Sequence, residues 1–189
     1  MTTLTADQGM GRIAVGLHAI TAAHVWAVAR LGLAWVFLWA FLDKTFALGF
    51  ATGRAQDGSI DFFSERAWIR GGSPTEGFLT FGTKGPFADT FQGMAGDLWV
   101  DGLFMIGLLA IGTALLLGVG MRLAAVAGAL LLLLMWLAQI WPANNPFLDS
   151  HLIYGVVIIG LAAMNAGDTW GFGKWWAKTE AVRRYPILR

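Results

Sequence analysis

Residues 25–44 read VWAVARLGLAWVFLWAFLDK. A helix needs roughly 20 mostly apolar residues, at about 1.5 Å each, to cross the hydrocarbon of a bilayer. The run therefore predicts a transmembrane helix over 22–42. Arg30 constrains it further. It precedes Asp43 by 13 positions, which is roughly 20 Å of helix. A cation that deep costs at least about 2.5–3.5 kcal/mol, and such residues usually face the bundle interior and have a partner. At about 100° per residue, Trp26, Arg30, Ala34, Phe37, Phe41 and Lys44 fall on one face. Arg30 then either makes a buried structural contact, with Asp168 or Asn165 as its expected partner, or belongs to a functional site.

The rest of the composition agrees with a membrane protein. Hydrophobic residues make up 57% and charged residues 13%, where a soluble domain carries about 25% charged. Residues 1–17 have no compact apolar core behind a basic region, so the first span is expected to act as an uncleaved signal anchor. The preceding tail is read as an inner-side segment ending in a short surface helix. The chain has no cysteine, which excludes disulfides, Fe–S ligation and thiol redox chemistry on its own residues. No two of its three histidines form a pair suited to a transmembrane haem, and no metal or haem is expected. His18 reads as solvated and His24 as a packed interfacial residue. No basic patch interleaved with aromatics points to nucleic acid.

Residues 45–100 contain no apolar run long enough to span. A connection of this length is usually functional or partly structured. One short helix is expected from Ser59 to Arg70, stopped at Gly71. A second is expected from the capping box Ser73-Pro-Thr-Glu76 through Phe81. Phe62, Phe63, Trp68, Phe78, Phe81, Phe87 and Phe91 suggest an aromatic cap on the membrane rim. Further spans are predicted over 101–118, 121–141 and 147–166. The tight turn at Gly118-Val-Gly120 makes the second and third antiparallel neighbours. Gly107, Gly112, Ala124 and Gly128 would allow close contact. Gln139 would make an interhelical hydrogen bond. Asn145 would cap the fourth helix, with Pro146 in its first position. His151, Gly155, Ile158, Ala162 and Asn165 share one face. The expected fold is an all-α integral membrane domain: a four-transmembrane-helix bundle, a cap over 45–100 and a tail over 169–189.

The tail is basic, with Lys174, Lys178, Arg183, Arg184 and Arg189, and Arg122 follows the Gly118–Gly120 turn; the 142–149 turn carries no basic residue. The positive-inside rule then puts both termini in the cytoplasm of a plasma-membrane protein, with the cap outside.

The run Arg30-Leu-Gly-Leu…Phe-Leu-Trp-Ala-Phe-Leu-Asp-Lys44 resembles the first helix of DoxX-family membrane proteins, and Gly118-Val-Gly-Met-Arg-Leu-Ala124 is similar to another of their patterns. Trp68-Ile-Arg-Gly-Gly-Ser-Pro-Thr-Glu-Gly-Phe-Leu79 and Asn144-Asn-Pro-Phe-Leu-Asp-Ser-His-Leu-Ile-Tyr154 resemble the DoxD branch more narrowly. The resemblance covers most of 22–176. It implies the membrane subunit of a thiosulfate:quinone oxidoreductase, with quinone as electron acceptor and a second redox subunit as partner.

In that reading Lys44, Arg66, Arg70 and His151 offset the charge of two thiosulfate dianions. His151, Tyr154 and Gln139 exchange protons with the quinone or hydrogen-bond it, walled by Phe37, Phe41 and Trp141. Asp43, Asn144 and Asp149 complete the site, at the outer end where the first and fourth helices meet. Arg30, Lys44 and His151 are the catalytic candidates. Two other classes fit the residues: a non-enzymatic subunit that docks a redox partner through the cap, and, less well, a transporter using Arg30. Homo-oligomerisation is left open.

Overall fold

Four helices carry the apolar segments. We label them α1 (Thr5–Phe46), α2 (Leu98–Leu117), α3 (Met121–Ala138) and α4 (Ser150–Ala163). The computed structural model describes the backbone of residues 5–189 and the side chains of residues 22–189, so the expected state of His18 lies outside the described residues. Apart from one isolated bridge between Arg54 and Ile60, regular structure among the described residues is helical.

Among the described residues, three helices are long and apolar enough to cross a membrane: Ala22–Phe46 within α1, then α2 and α3. Their outward surfaces are apolar, as Trp35, Leu103, Ile106 and Val126 illustrate. That pattern suits lipid, where water would disfavour so continuous a patch. The fourth segment departs from expectation. It is helical for only 14 residues, about 21 Å, short of the roughly 30 Å of hydrocarbon. α4 begins at Ser150 rather than Phe147 because Asp149, not Asn145, is its cap: the Asp149 carboxylate accepts the Leu152 N–H. Asn145 instead accepts the N–H groups of Phe147 and Leu148 in a turn ahead of the helix. At the N-terminal side, α1 starts at Thr5 and runs unbroken into the span, so among the described residues the tail is part of α1 rather than a separate surface helix.

The bundle is built from two intimate pairs, α1 with α2 and α3 with α4. In a bilayer, apolar helices gain little by hiding from equally apolar lipid; close packing drives their association. Gly112 provides it in the first pair: a Cβ there would lie 2.7 Å from Leu38 Cγ. Gly128 does so in the second, where a Cβ would lie 2.5 Å from Ile158 Cδ1. Gly107 meets no neighbour, so its expected packing role is not observed. Leu33, Ala34 and Phe37 of α1 meet Met105, Leu108, Ile111 and Leu115 of α2 and Ile158 and Leu161 of α4 in one core. The buried stripe of α1 follows the face read from its sequence.

Arg30 is fully buried, but with neither expected partner. Its Nε donates to Ala166 O (3.2 Å), Nη1 to Leu115 O and Leu116 O (2.8 Å), and Nη2 to Thr169 O (3.2 Å) and Trp170 O (2.9 Å). A guanidinium has five N–H donors, and main-chain carbonyls take all of them. Two belong to the last turn of α2, where unpaired carbonyls and the negative end of the helix dipole suit a cation. Asp168 is engaged elsewhere, accepting from Arg189 Nη2 at 3.0 Å. Arg30 is thus a structural knot between α1, α2 and the segment after α4. His24 packs edge-on against Trp170, with ring centroids 5.0 Å apart.

Between α1 and α2 the chain is mostly turns. The expected helix from Ser59 to Arg70 shrinks to one 3-10 turn, Trp68–Arg70, ended by Gly71 in the left-handed region. Ser59 caps no helix; its N–H and hydroxyl both donate to Asp57. Half of the expected capping box forms: Ser73 Oγ accepts the Glu76 N–H at 3.0 Å, without a return bond to the Glu76 side chain among the described residues. It leads into a π-helical turn, Phe78–Gly82.

Candidate functional site

The site starts where α1 ends. Asp43 is buried, and its carboxylate accepts the N–H groups of Phe50 (3.1 Å), Ala51 (2.8 Å) and Thr52 (3.0 Å). Asp43 therefore closes the chain reversal after α1. Lys44 projects elsewhere. It lines a cavity of about 270 Å³ with Phe78, Phe91, Trp99, Phe104, Leu131 and Met135 among its walls. Among the described residues it makes no hydrogen bond or ion pair. Lys44 and Thr75 are the polar residues among its apolar and aromatic walls.

Two anchors hold the cap over this cavity. Asp101, in the first turn of α2, is buried and accepts from Ser73 Oγ (2.9 Å), Thr75 N (3.1 Å) and Thr75 Oγ1 (2.6 Å). Further on, the Lys84 N–H donates to Ala138 O at the end of α3 (2.9 Å). The turn Phe78–Gly82 lies between these ties. Single π-helical turns are uncommon and occur often at functional sites. Here the turn has two faces. Phe78 and Leu79 line the apolar cavity, whereas Phe81 and Gly82 line a second, polar cleft of about 670 Å³. The end of α3 divides likewise: Ala138 borders the first and Gln139 the second.

The cleft also holds Lys84, Asn144, Asp149 and His151. His151 Nδ1 lies 2.5 Å from Asp149 Oδ2. Accepting from Nδ1–H fixes the neutral imidazole with Nε2 as its free acceptor, or holds an imidazolium with Nε2–H as a free donor. Partial burial raises the Asp149 pKa, but the hydrogen bonds from His151 and the Leu152 N–H, with the charge of His151, outweigh it and leave the group below the usual carboxylate range. Lys84 and the His151 ring, as an imidazolium, can meet an anion, with the Asp149 carboxylate turned to the His151 Nδ1 and the Leu152 N–H; Gln139 and Asn144 add amide donors and acceptors.

Of the residues predicted for a site, Gln139, Asn144, Asp149 and His151 converge. Lys44 opens into the neighbouring apolar cavity. Asp43 is fully used by the backbone. Arg70 is exposed and, among the described residues, pairs only with Glu65 (3.4 Å); Arg66 is exposed as well, and neither lines either of these two spaces. Tyr154 is exposed and borders neither space, and Arg30 is held at the tail end. Neither of these spaces lies in the slot expected between the first and fourth helices: Phe37 is in the core, Trp141 is exposed, and neither space is lined by both helices. α1 approaches α4 where Trp26 meets Gly160. Pairing of α1 with α2 moves the apolar space to the α2–α3 side. Asp101 as the cap anchor is additional to the sequence reading. So is the aromatic wall, although Trp99, Val100, Leu103 and Phe104 carry the helical spacing that marks one face.

Compared with protein-family models, curated proteins and solved structures, the chain matches none.

Proposed function

We propose that this is a four-pass plasma-membrane protein, both termini cytoplasmic, that passes electrons from thiosulfate or a related sulfur anion to quinone, as the resemblance to the DoxD branch implies. The observation supporting it is the pair of unlike cavities on the two faces of one π-helical turn. The polar cleft, with Lys84 and the His151–Asp149 dyad, suits a small oxyanion. The apolar cavity, with Lys44 beside aromatic rings, suits a flat quinone head whose carbonyl accepts from the ammonium. This exchanges the roles that the sequence suggests for Lys44 and His151. Two thiosulfates join through a new S–S bond and release two electrons. The quinone takes up both with two protons and becomes the hydroquinone. Electrons cross directly at the shared wall or through a cofactor on a partner subunit.

The exposed aromatics Phe62, Phe63 and Phe81 favour a second reading, in which the cap docks a redox partner and the chain catalyses nothing itself. One assay separates them. Purified protein in liposomes is given thiosulfate and a soluble quinone, and hydroquinone and tetrathionate are followed. Formation of both by the chain alone supports the enzyme; formation only after the partner subunit is added supports the docking role.

A further inference from the structure

At the opposite end of the bundle a groove runs between α3 and α4, with a volume of about 630 Å³. Its floor is Ala125, Ala129 and Ala162, and its sides are Val126 and Ile159, 64% and 54% exposed. Both sides belong to helix surfaces that face lipid. Two polar groups border the groove. Arg122 donates one N–H, from Nη1, to Pro186 O at 2.9 Å, which leaves four of its five donors free among the described residues. The Asn165 side-chain amide makes no hydrogen bond among them.

The polar and apolar parts lie at different depths. Arg122 is in the first turn of α3, at the level where a span meets the headgroups. Ala129 is seven positions further along the sequence, about 10 Å deeper. An occupant with its anion at Arg122 and a chain reaching Ala129 therefore has the shape and polarity of a membrane phospholipid. A guanidinium binds a phosphate through two parallel hydrogen bonds.

We propose that this groove is a binding site for an anionic phospholipid. Its phosphate sits on Arg122 and the Asn165 amide, and one acyl chain lies along Ala125 and Ala129. A zwitterionic lipid keeps the phosphate but adds a cation beside Arg122, so phosphatidylglycerol is preferred over phosphatidylcholine. A second copy of this chain would fill the groove with side chains instead.

Native mass spectrometry of detergent-purified protein, titrated with each lipid, tests the site. Wild type should hold phosphatidylglycerol about tenfold more tightly than phosphatidylcholine. Arg122→Gln should remove that preference, and Ala129→Phe should weaken both lipids by filling the groove. Equal binding of both lipids to wild type, or a full preference in Arg122→Gln, overturns the proposal. So does a loss of dimer in place of lipid in Ala129→Phe. Should either variant fold poorly, wild type carries the test alone: a phosphatidylglycerol with a photoreactive acyl chain should label 125–129 and Ile159. Labelling elsewhere refutes the site.

Discussion

Ala138 and Gln139 are neighbours at the end of α3, yet they border different cavities, one apolar around Lys44 and one polar around His151. The wall between these spaces includes the backbone that joins them. Widening it at Ala138 with Ala138→Leu should fill the Lys44 cavity and leave the His151 cleft unchanged. The expected result is a KM for quinone raised about tenfold, with the KM for thiosulfate unaltered, measured in the liposome assay.

Lys44 separates function from stability. A cation without a hydrogen-bond partner in an apolar cavity adds little to the fold and costs desolvation. Lys44→Met keeps the stem volume and removes the charge. It should leave the thermal midpoint in detergent unchanged or higher, and abolish quinone reduction on equal amounts of folded protein. A lower midpoint would show that the charge serves the fold.

The His151–Asp149 dyad makes two claims. His151→Ala should abolish thiosulfate oxidation with near-normal membrane yield. Asp149 adds a pH dependence. Its folded-state pKa is depressed, so the stability it gives α4 is present above the unfolded carboxylate pKa and is lost as pH falls through the folded value. Hydrogen exchange at Leu152 and Ile153 should accelerate below the carboxylate range in wild type. Asp149→Ala should remove this pH response and cost about 1 kcal/mol through the lost cap.

Arg30 should tolerate no substitution. Arg30→Leu leaves five carbonyls without their donors, at about 1–3 kcal/mol for each one that stays buried and unpaired. Arg30→Lys has only three donors on one atom and cannot span the same fork. Both should lower folded yield, the lysine variant less. Normal yield of Arg30→Leu, read by size-exclusion of solubilised membranes, would overturn the structural role.

Topology is checked by reporter fusions at Arg189 and within 53–58, which should report cytoplasm and exterior respectively. An external signal from the tail fusion would invert the orientation.

What could be read from the sequence tracks the range of each force. Apolar runs place α2, α3 and the end of α1 to within a few residues because lipid selects length directly; the start of α1 was not legible, because the helix runs back from the span to Thr5 through a segment without an apolar run. The Gly118 turn and the Ser73 cap are local and were legible. The fourth helix was overextended because Asn145 and Asp149 are both good caps; the fold uses Asp149, which accepts the Leu152 N–H, while Asn145 holds a turn and the Phe147 carbonyl is taken by Trp136 Nε1 at 2.9 Å. The helix from Ser59 failed because Asp57 offers Ser59 a nearer partner. Half of the polar cleft was legible, since 139–151 is nearly continuous in sequence. The Lys44 cavity was not, because α1, α2, α3 and the cap all contribute to it.

The carbonyl cage of Arg30 has an evolutionary corollary. Every position supplies the same main-chain oxygen whatever side chain it carries, so Leu115, Leu116, Ala166, Thr169 and Trp170 can drift without loosening the arginine. No compensating pair of substitutions can arise at such a contact. In a set of relatives, position 30 should stay fixed while its five acceptors vary independently of it, and coevolution statistics will pass over one of the chain's most densely bonded side chains.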